Sequence, residues 1–521
     1  MPTRRSGPPR PGIGRRRGTG PAGDSFPLTK AVPYIRARRL PEPSVGALLR
    51  RSGEIAVVTG RHFAPLALRQ LRHLRAGPLP VTVIARPLRL AFEELGGTFI
   101  KFGQVMASSP GLFGEALADE FRSCLDTGPI VAFAAVRQRV EDDLGCTLED
   151  AYAEFEREPF GRASIAVVHR ARLHDGRAVA VKIIRPGIEH RVATDLDLLQ
   201  PLFEVLVRAT GDQVAGSVLQ LVDGFRIQVG EEMDLRNESR AMVHFRRLLA
   251  EVSLPRIVVP EPYPELSGAN VLTMELLDGV PIDDLARVAD WGVDPTPLVE
   301  DVVRAFLLTT ARWGAFHGDA HAGNLLLLRD GRIGIIDWGI VGRLDPETHR
   351  FFLRLLAALL GDESAWADLT QHLVRVYGPA LGTAVGLGEA EMAAFIRSLI
   401  EPILTRPFGE ASLAGVMEAV QLQVAKTQGV EAHQRSLGAV VRRLRFQRRV
   451  RRMADRSGGL FSDFDRGTFL LGKQLMYFER YGKLFLSDVP LLNDPVFLAQ
   501  LLDDTDRGVS RREPGSTGPS R

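Results

Sequence analysis

A single lysine inside an otherwise apolar strand limits most sharply what this chain can fold into. Residues 164–184 read as a β-hairpin, with Ile165–His169 as one strand, His174-Asp175-Gly176-Arg177 as the turn and Ala178–Ile184 as the second strand. In Val179-Ala180-Val181-Lys182-Ile183-Ile184 both faces are apolar, so both are expected to be buried. An ammonium in such a strand is costly unless a carboxylate meets it. The fold must therefore bring an acid from elsewhere to Lys182. Lysine is also scarce here, six residues against sixty arginines. Ammonium and guanidinium are not interchangeable at a compact site, which draws attention to each lysine kept.

The expected partner lies in Glu231-Glu232-Met233-Asp234-Leu235-Arg236-Asn237-Glu238, within a helix predicted from about Ser217 to Glu251. Asp234 and Glu238 are four apart and share a helix face, whereas Glu232 projects differently. Glu238 is the acid expected at Lys182. A second hairpin, Asn324–Leu328 and Arg332–Ile336 joined at Asp330-Gly331, stands between His317-Gly318-Asp319-Ala320-His321-Ala322-Gly323-Asn324 and Asp337-Trp338-Gly339. This pattern suits phosphoryl transfer. Asp319 can take the proton of an attacking hydroxyl or orient a water, and Asn324 and Asp337 supply hard oxygens for Mg²⁺ on nucleotide phosphates. Gly339 is expected to give the metal-binding turn its backbone freedom.

Most of the remaining chain has helical periodicity: Val45–Arg75, Pro87–Leu125 with an interruption at Ser109-Pro110-Gly111, Ile188–Arg208, Pro297–Trp313, and most of Pro346–Asp503. Val271–Glu275 is one further strand. The fold class is α+β, divided as 1–40, a disordered basic arm; 41–150, a helical extension; 151–277, a small β-rich lobe; 278–410, a larger helical lobe; 411–503, a C-terminal helical region; and 504–521, a disordered tail. The apolar fraction of 45% and charged fraction of 25% exclude wholesale disorder. Cys124 and Cys146, the only cysteines, exclude a disulfide scaffold. A net charge of +3 leaves no chain-wide footprint for nucleic acid. No apolar h-region follows the N-terminal arginines and no run of 18 apolar residues occurs, so a cytoplasmic protein without signal peptide or spanning helix is expected. The arginine-rich segment Arg442–Arg452, with Leu444, Phe446 and Val450 interleaved, is a candidate for peripheral docking on an anionic membrane.

Upstream of the hairpins, Gly96-Gly97-Thr98-Phe99-Ile100-Lys101-Phe102-Gly103-Gln104 is a helix with two glycines at its start and a Lys and a Gln with no evident partner. Together with Ala163-Ser164, Lys182, Glu232-Met233-Asp234, Glu238, Asp319, Asn324 and Asp337-Trp338-Gly339, in that order, it resembles the UbiB-like, AarF-domain-containing, atypical protein-kinase-like family. The resemblance spans about Leu88 to Leu344. It implies a bilobal kinase-like fold with the N-terminal extension over the active site. Ala163, Ser164, Lys182, Glu275 and Leu277 would bind ATP or ADP, and Asn324 and Asp337 would hold Mg²⁺. Asp319, Lys182 and Glu238 would be the catalytic set. Lys101 and Gln104, with Glu232 and Asp234, would regulate the site and occlude the place of a protein substrate. The implied activity is ATP hydrolysis or phosphorylation of a small lipid-like molecule, with isoprenoid lipid and quinone-biosynthesis proteins as partners. This chain departs from the family pattern at Ala166, Val167, Ala320, Ala322 and Trp338. Two rival readings stand beside it: a small-molecule phosphotransferase of the aminoglycoside or choline kinase type, and a nucleotide-gated scaffold without turnover.

Overall fold

The computed structural model describes residues 37–72, 81–107, 115–121, 130–210, 225–372, 466–488 and 494–510, with isolated positions between them. The basic arm up to residue 36, the 108–114 interruption, the Arg442–Arg452 cluster and residues 511–521 lie outside the described residues. The fold is mixed α+β. Among the described residues the strands, in chain order, are β1 (Glu154–Phe155), β2 (Gly161–Arg162), β3 (Ala166–Arg172), β4 (Ala178–Ile184), β5 (Ile257–Val258), β6 (Val271–Glu275), β7 (Gly279–Pro281), β8 (Ala315–His317), β9 (Leu325–Leu328), β10 (Ile333–Ile335) and β11 (Val341–Arg343).

The first hairpin seeds an antiparallel sheet in the order β1-β3-β4-β6, with β2 also paired to β3. Its register sets Lys182 between Val168 on β3 and Leu272 on β6. The side-chain alternation of β4 explains why the strand is apolar throughout. Val179, Val181 and Ile183 enter a cluster with Val136, Val140 and Tyr152, beneath the Phe133–Leu144 helix. Ala180 and Ile184 face the other way, into the main core with Phe245 and Leu272. Lys182 belongs to that second face, so its ammonium is sent toward the helices.

The second hairpin is β9 and β10, extended to β5-β10-β9-β7. A separate antiparallel pair, β8 and β11, brings His317 opposite Val341 and so joins the two ends of the segment that carries the β9–β10 hairpin. The long Thr296–Trp313 helix lies against this region, with Val302, Val303 and Phe306 fully buried.

Several boundaries differ from the sequence reading: β3 runs on to Arg172 past His169, and the helix expected from Pro87 begins at Val81. The helix expected from Ser217 to Glu251 is broken: residues 225–232 are helical, the chain turns at Met233-Asp234, and a new helix runs Leu235–Glu251. Asp234 causes the restart, because its carboxylate accepts the Arg236 backbone N–H at 3.2 Å as an N-cap. At the other end, the Pro495–Ser510 helix passes the 503/504 boundary drawn for a disordered tail. Among the described residues no helix is long and apolar enough to cross a membrane.

Candidate functional site

Lys182 meets its acid. Its Nζ lies 2.9 and 3.0 Å from the two carboxylate oxygens of Glu238 and 2.9 Å from Oδ1 of Asp337. Glu238 reaches β4 because the Leu235–Glu251 helix starts afresh at Asp234, and the carboxylate is 2% exposed. Asp234 itself stays at the helix start, held by the Arg236 guanidinium at 2.6 and 2.8 Å, so its charge serves the cap. Glu232, on the preceding turn, pairs instead with Lys101 and accepts from Gln228 at 3.2 Å.

Lys101 comes from outside the sheet. The Gly97–Ala107 helix buries eight of its eleven residues, including Phe99, Ile100, Phe102 and Val105. Phe102 makes an edge contact with Phe225 at 5.3 Å, just ahead of Glu232. Lys101 and Gln104, three apart, share the half-buried face of this helix. Its glycine start is required: Gly97 has φ +42, and a Cβ there would lie 3.5 Å from Ile188 and 4.0 Å from the Ser164 carbonyl. The helix start and the Ala163-Ser164 loop are therefore neighbours. Arg185 closes that loop by donating to the Ala163 carbonyl at 2.9 Å, and the Ser164 hydroxyl is buried without a hydrogen-bond partner.

Asp319 follows β8. Its backbone N–H donates to Nδ1 of His317 at 3.1 Å, which places the imidazole proton on Nε2. Burial lowers His317 to about 4, so it stays neutral at physiological pH. The Asn324 amide donates to the Asp319 carbonyl at 3.0 Å, leaving its oxygen as a hard acceptor. The Asp319 carboxylate is held by groups from the other end of the chain: Lys473 Nζ at 2.7 Å and the Tyr477 hydroxyl at 2.9 Å, both on Oδ1. The Tyr481 hydroxyl donates to the Ala320 carbonyl. These three side chains recur every four residues on one face of the Arg466–Phe485 helix.

Asp337 is one of two non-glycine residues with positive φ among those described, at +58. The turn therefore takes its unusual backbone at Asp337 and not at Gly339, contrary to the sequence reading. Strain of this kind persists where its surroundings hold it. Trp338 supplies the hold: 1% exposed, it donates from Nε1 to the Ile335 carbonyl at 2.8 Å and packs on Phe245 and His317, each at 4.6 Å. Gly339 is needed for space. A Cβ there would lie 3.3 Å from the Asp337 carboxylate, 3.7 Å from that of Glu238 and 3.8 Å from the Glu232 stem. Three acids thus converge on one glycine.

The charges partition unevenly. Burial, joined by Asp337 and Glu232, outweighs Lys182 and pushes Glu238 up to about 7. Partial desolvation raises the half-exposed Asp337, but Lys182 and Lys101 bring it down to about 2. At Asp319 burial is outweighed by Lys473 and His321, which hold the carboxyl below the usual carboxylate range. Burial works against the Lys182 charge, yet Asp337 and Glu238 keep it protonated. Among the described residues no group of three or more His, Cys, Asp or Glu is placed to hold a metal by itself.

The other two expected nucleotide contacts lie at the end of β6 and just after it. Glu275, at the end of β6, accepts the Glu261 backbone N–H at 3.2 Å. Leu277 packs onto Gly334 of β10, where a Cβ would approach it to 2.6 Å.

Residues 124–368 match the ABC1 atypical kinase-like domain. An uncharacterised Mycobacterium tuberculosis protein is 34% identical over 440 residues, covering 84% of this chain and 82% of that one. An uncharacterised chloroplastic aarF domain-containing protein kinase of Arabidopsis thaliana is 32% identical over 409 residues, 78% of this chain and 73% of its own. The chain belongs to the UbiB/AarF-domain family of atypical kinase-like proteins. A probable protein kinase UbiB of Aeromonas hydrophila is 33% identical over 337 residues, and the match spans 63% of this chain and 60% of the relative. Within this UbiB-like chain, the sequence alone does not tie Lys473, Tyr477 and Tyr481 to the site. Their signal was present, in a scarce lysine and two tyrosines at four-residue spacing, but no pattern of adjacent residues ties them to Asp319.

Proposed function

We propose that this protein binds Mg-ATP or Mg-ADP where Lys182 of β4 meets the Asp319–Gly339 segment, in a bilobal kinase-like arrangement, and hydrolyses ATP or phosphorylates a small lipid-like molecule. The observation that carries the reading is Lys182 held simultaneously by Glu238 and Asp337, with Asp319 and Asn324 completing the set. The donor chemistry fits Mg²⁺. Asp337 offers a carboxylate and Asn324 an amide oxygen, and a magnesium ion bound by one or two protein oxygens completes its shell with water and phosphate. When bound, the ion would offset charge on the phosphates. Asp319 would orient or deprotonate the acceptor, and Lys182 would hold the phosphates nearer the nucleoside.

Service to isoprenoid-quinone biosynthesis, with an isoprenoid lipid or an anionic membrane surface as peripheral partner, is proposed from family membership. The Gly97–Ala107 helix favours a small acceptor over a protein one, because it places Lys101 on Glu232 beside the acids at Gly339. Thermal unfolding with ADP or ATP, with and without Mg²⁺, tests the nucleotide reading. A ligand at 100 times its dissociation constant adds about 2.7 kcal/mol. The expected result is a Mg²⁺-dependent rise in the midpoint that Asp337→Asn removes. No shift with either nucleotide would refute the reading.

A further inference from the structure

Four lysines fall among the described residues, and three of them touch carboxylates of the candidate site: Lys101 on Glu232, Lys182 on Glu238 and Asp337, and Lys473 on Asp319. The fourth, Lys483, pairs with Glu479 four residues away on a more exposed face. In a chain that otherwise writes its cations as arginine, this concentration points to a requirement for compact ammonium groups. Lys182 and Lys101 each have a place in the nucleotide reading. Lys473 has none.

The helix that carries Lys473 is built into the site. Lys473 is 8% exposed, Gln474 1% and Phe478 3%, and the Phe478 ring stacks on Phe306 at 6.3 Å. One and two turns further on, Tyr477 and Tyr481 bond the Asp319 carboxylate and the Ala320 carbonyl. The ammonium is therefore fixed against the same oxygen that Tyr477 uses, 2.7 Å from Nζ.

We propose that Lys473 contacts the terminal phosphate of a bound nucleoside triphosphate, making this site discriminate triphosphate from diphosphate. The inference rests on the nucleotide reading above and adds a group to it. A hydroxyl or water oriented by Asp319 must sit about 3–3.5 Å from the phosphorus it attacks. An ammonium in contact with the Asp319 carboxylate is then within side-chain reach of the oxygens on that phosphorus. Without it, the terminal phosphate would lie beside the Asp319 carboxylate with that carboxylate's ion-pair partner removed. Lysine or arginine clamps on a transferred phosphoryl group answer this kind of charge build-up. A diphosphate has no group at that position, so Lys473 contributes nothing to holding it.

The test is to measure dissociation constants of Mg-ATP and Mg-ADP by calorimetry on the full chain, for wild type, Lys473→Met and Lys473→Arg. A charge-assisted contact with one phosphate predicts that Lys473→Met weakens ATP about tenfold or more and ADP less than about twofold. Lys473→Arg should recover part of the ATP affinity. A merely structural role would weaken both nucleotides alike. If wild type binds both and Lys473→Met changes them equally, or changes neither, the inference is overturned and the nucleotide reading survives. If wild type binds neither, both fall together. Should Lys473→Met lose its cooperative unfolding, Asp319→Asn with Lys473→Met leaves neither charge unpaired, and comparison with Asp319→Asn alone carries the same ATP-selective prediction.

Discussion

Two helices from outside the sheet region each set a lysine on a site carboxylate, and they are anchored in different ways. The Gly97–Ala107 helix is short and sunk into the core, with Phe102 fully buried. The longer Arg466–Phe485 helix keeps Arg480 and Lys483 toward solvent and buries one face, where Lys473, Gln474, Phe478 and Tyr481 lie. The first is held by extensive apolar packing and by the Lys101–Glu232 pair. The second is held by packing and by polar bonds that end on the Asp319-Ala320 backbone and side chain. A helix fixed by core packing moves only with the core. One bonded to the Asp319-Ala320 segment has its position coupled to that segment.

The largest test of this contrast is chemical. Asp319→Asn is expected to lower nucleotide turnover by about 10²–10⁴-fold, as for loss of a positioned proton acceptor. Steady-state phosphate release measures it, and an unchanged rate would remove Asp319 from the reaction. Next come the two packing anchors. Phe102→Ala and Phe478→Ala should each cost about 3–5 kcal/mol in urea unfolding, since both rings are buried and leave cavities. A cost under about 1 kcal/mol for Phe478→Ala would show that the C-terminal helix is not docked as described.

Smaller still is Tyr481→Phe, which deletes one buried hydroxyl and leaves the Ala320 carbonyl without it. A loss of about 1–2 kcal/mol is expected by the same unfolding measurement. A neutral result would limit the polar tether to Lys473 and Tyr477. The finest probe is pH. Glu238 binds its proton more tightly folded than unfolded, so its stabilising contribution is complete below 4.5 and is lost as pH rises through about 7. Glu238→Gln should therefore flatten the decline of the thermal midpoint over that window. A slope identical to wild type would mean that another group titrates there.

Where a site residue belonged to a local pattern, the sequence was informative. Lys182 announced itself by its apolar neighbours, and Asp319, Asn324 and Asp337 by their spacing about a hairpin. The break at Met233-Asp234 was harder to see, because the acid that caps the new helix also fits the old helix face. At Asp337 the left-handed backbone falls on the aspartate itself, and Gly339 is needed for steric space, a distinction that the sequence pattern does not carry. Lys473 lies 154 residues from Asp319, and only tertiary packing joins them. The family reading set the order of motifs within Leu88–Leu344 and stopped short of that helix.

The central claim is that Lys182, Asp337, Asn324 and Asp319 form one Mg-nucleotide site. Crystals grown with Mn²⁺ and a non-hydrolysable ATP analogue test it most directly. The account predicts an anomalous peak within about 2–2.3 Å of the Asp337 carboxylate and the Asn324 amide oxygen, with the phosphates running past Lys182. Nucleotide and metal bound together elsewhere in the fold would contradict it.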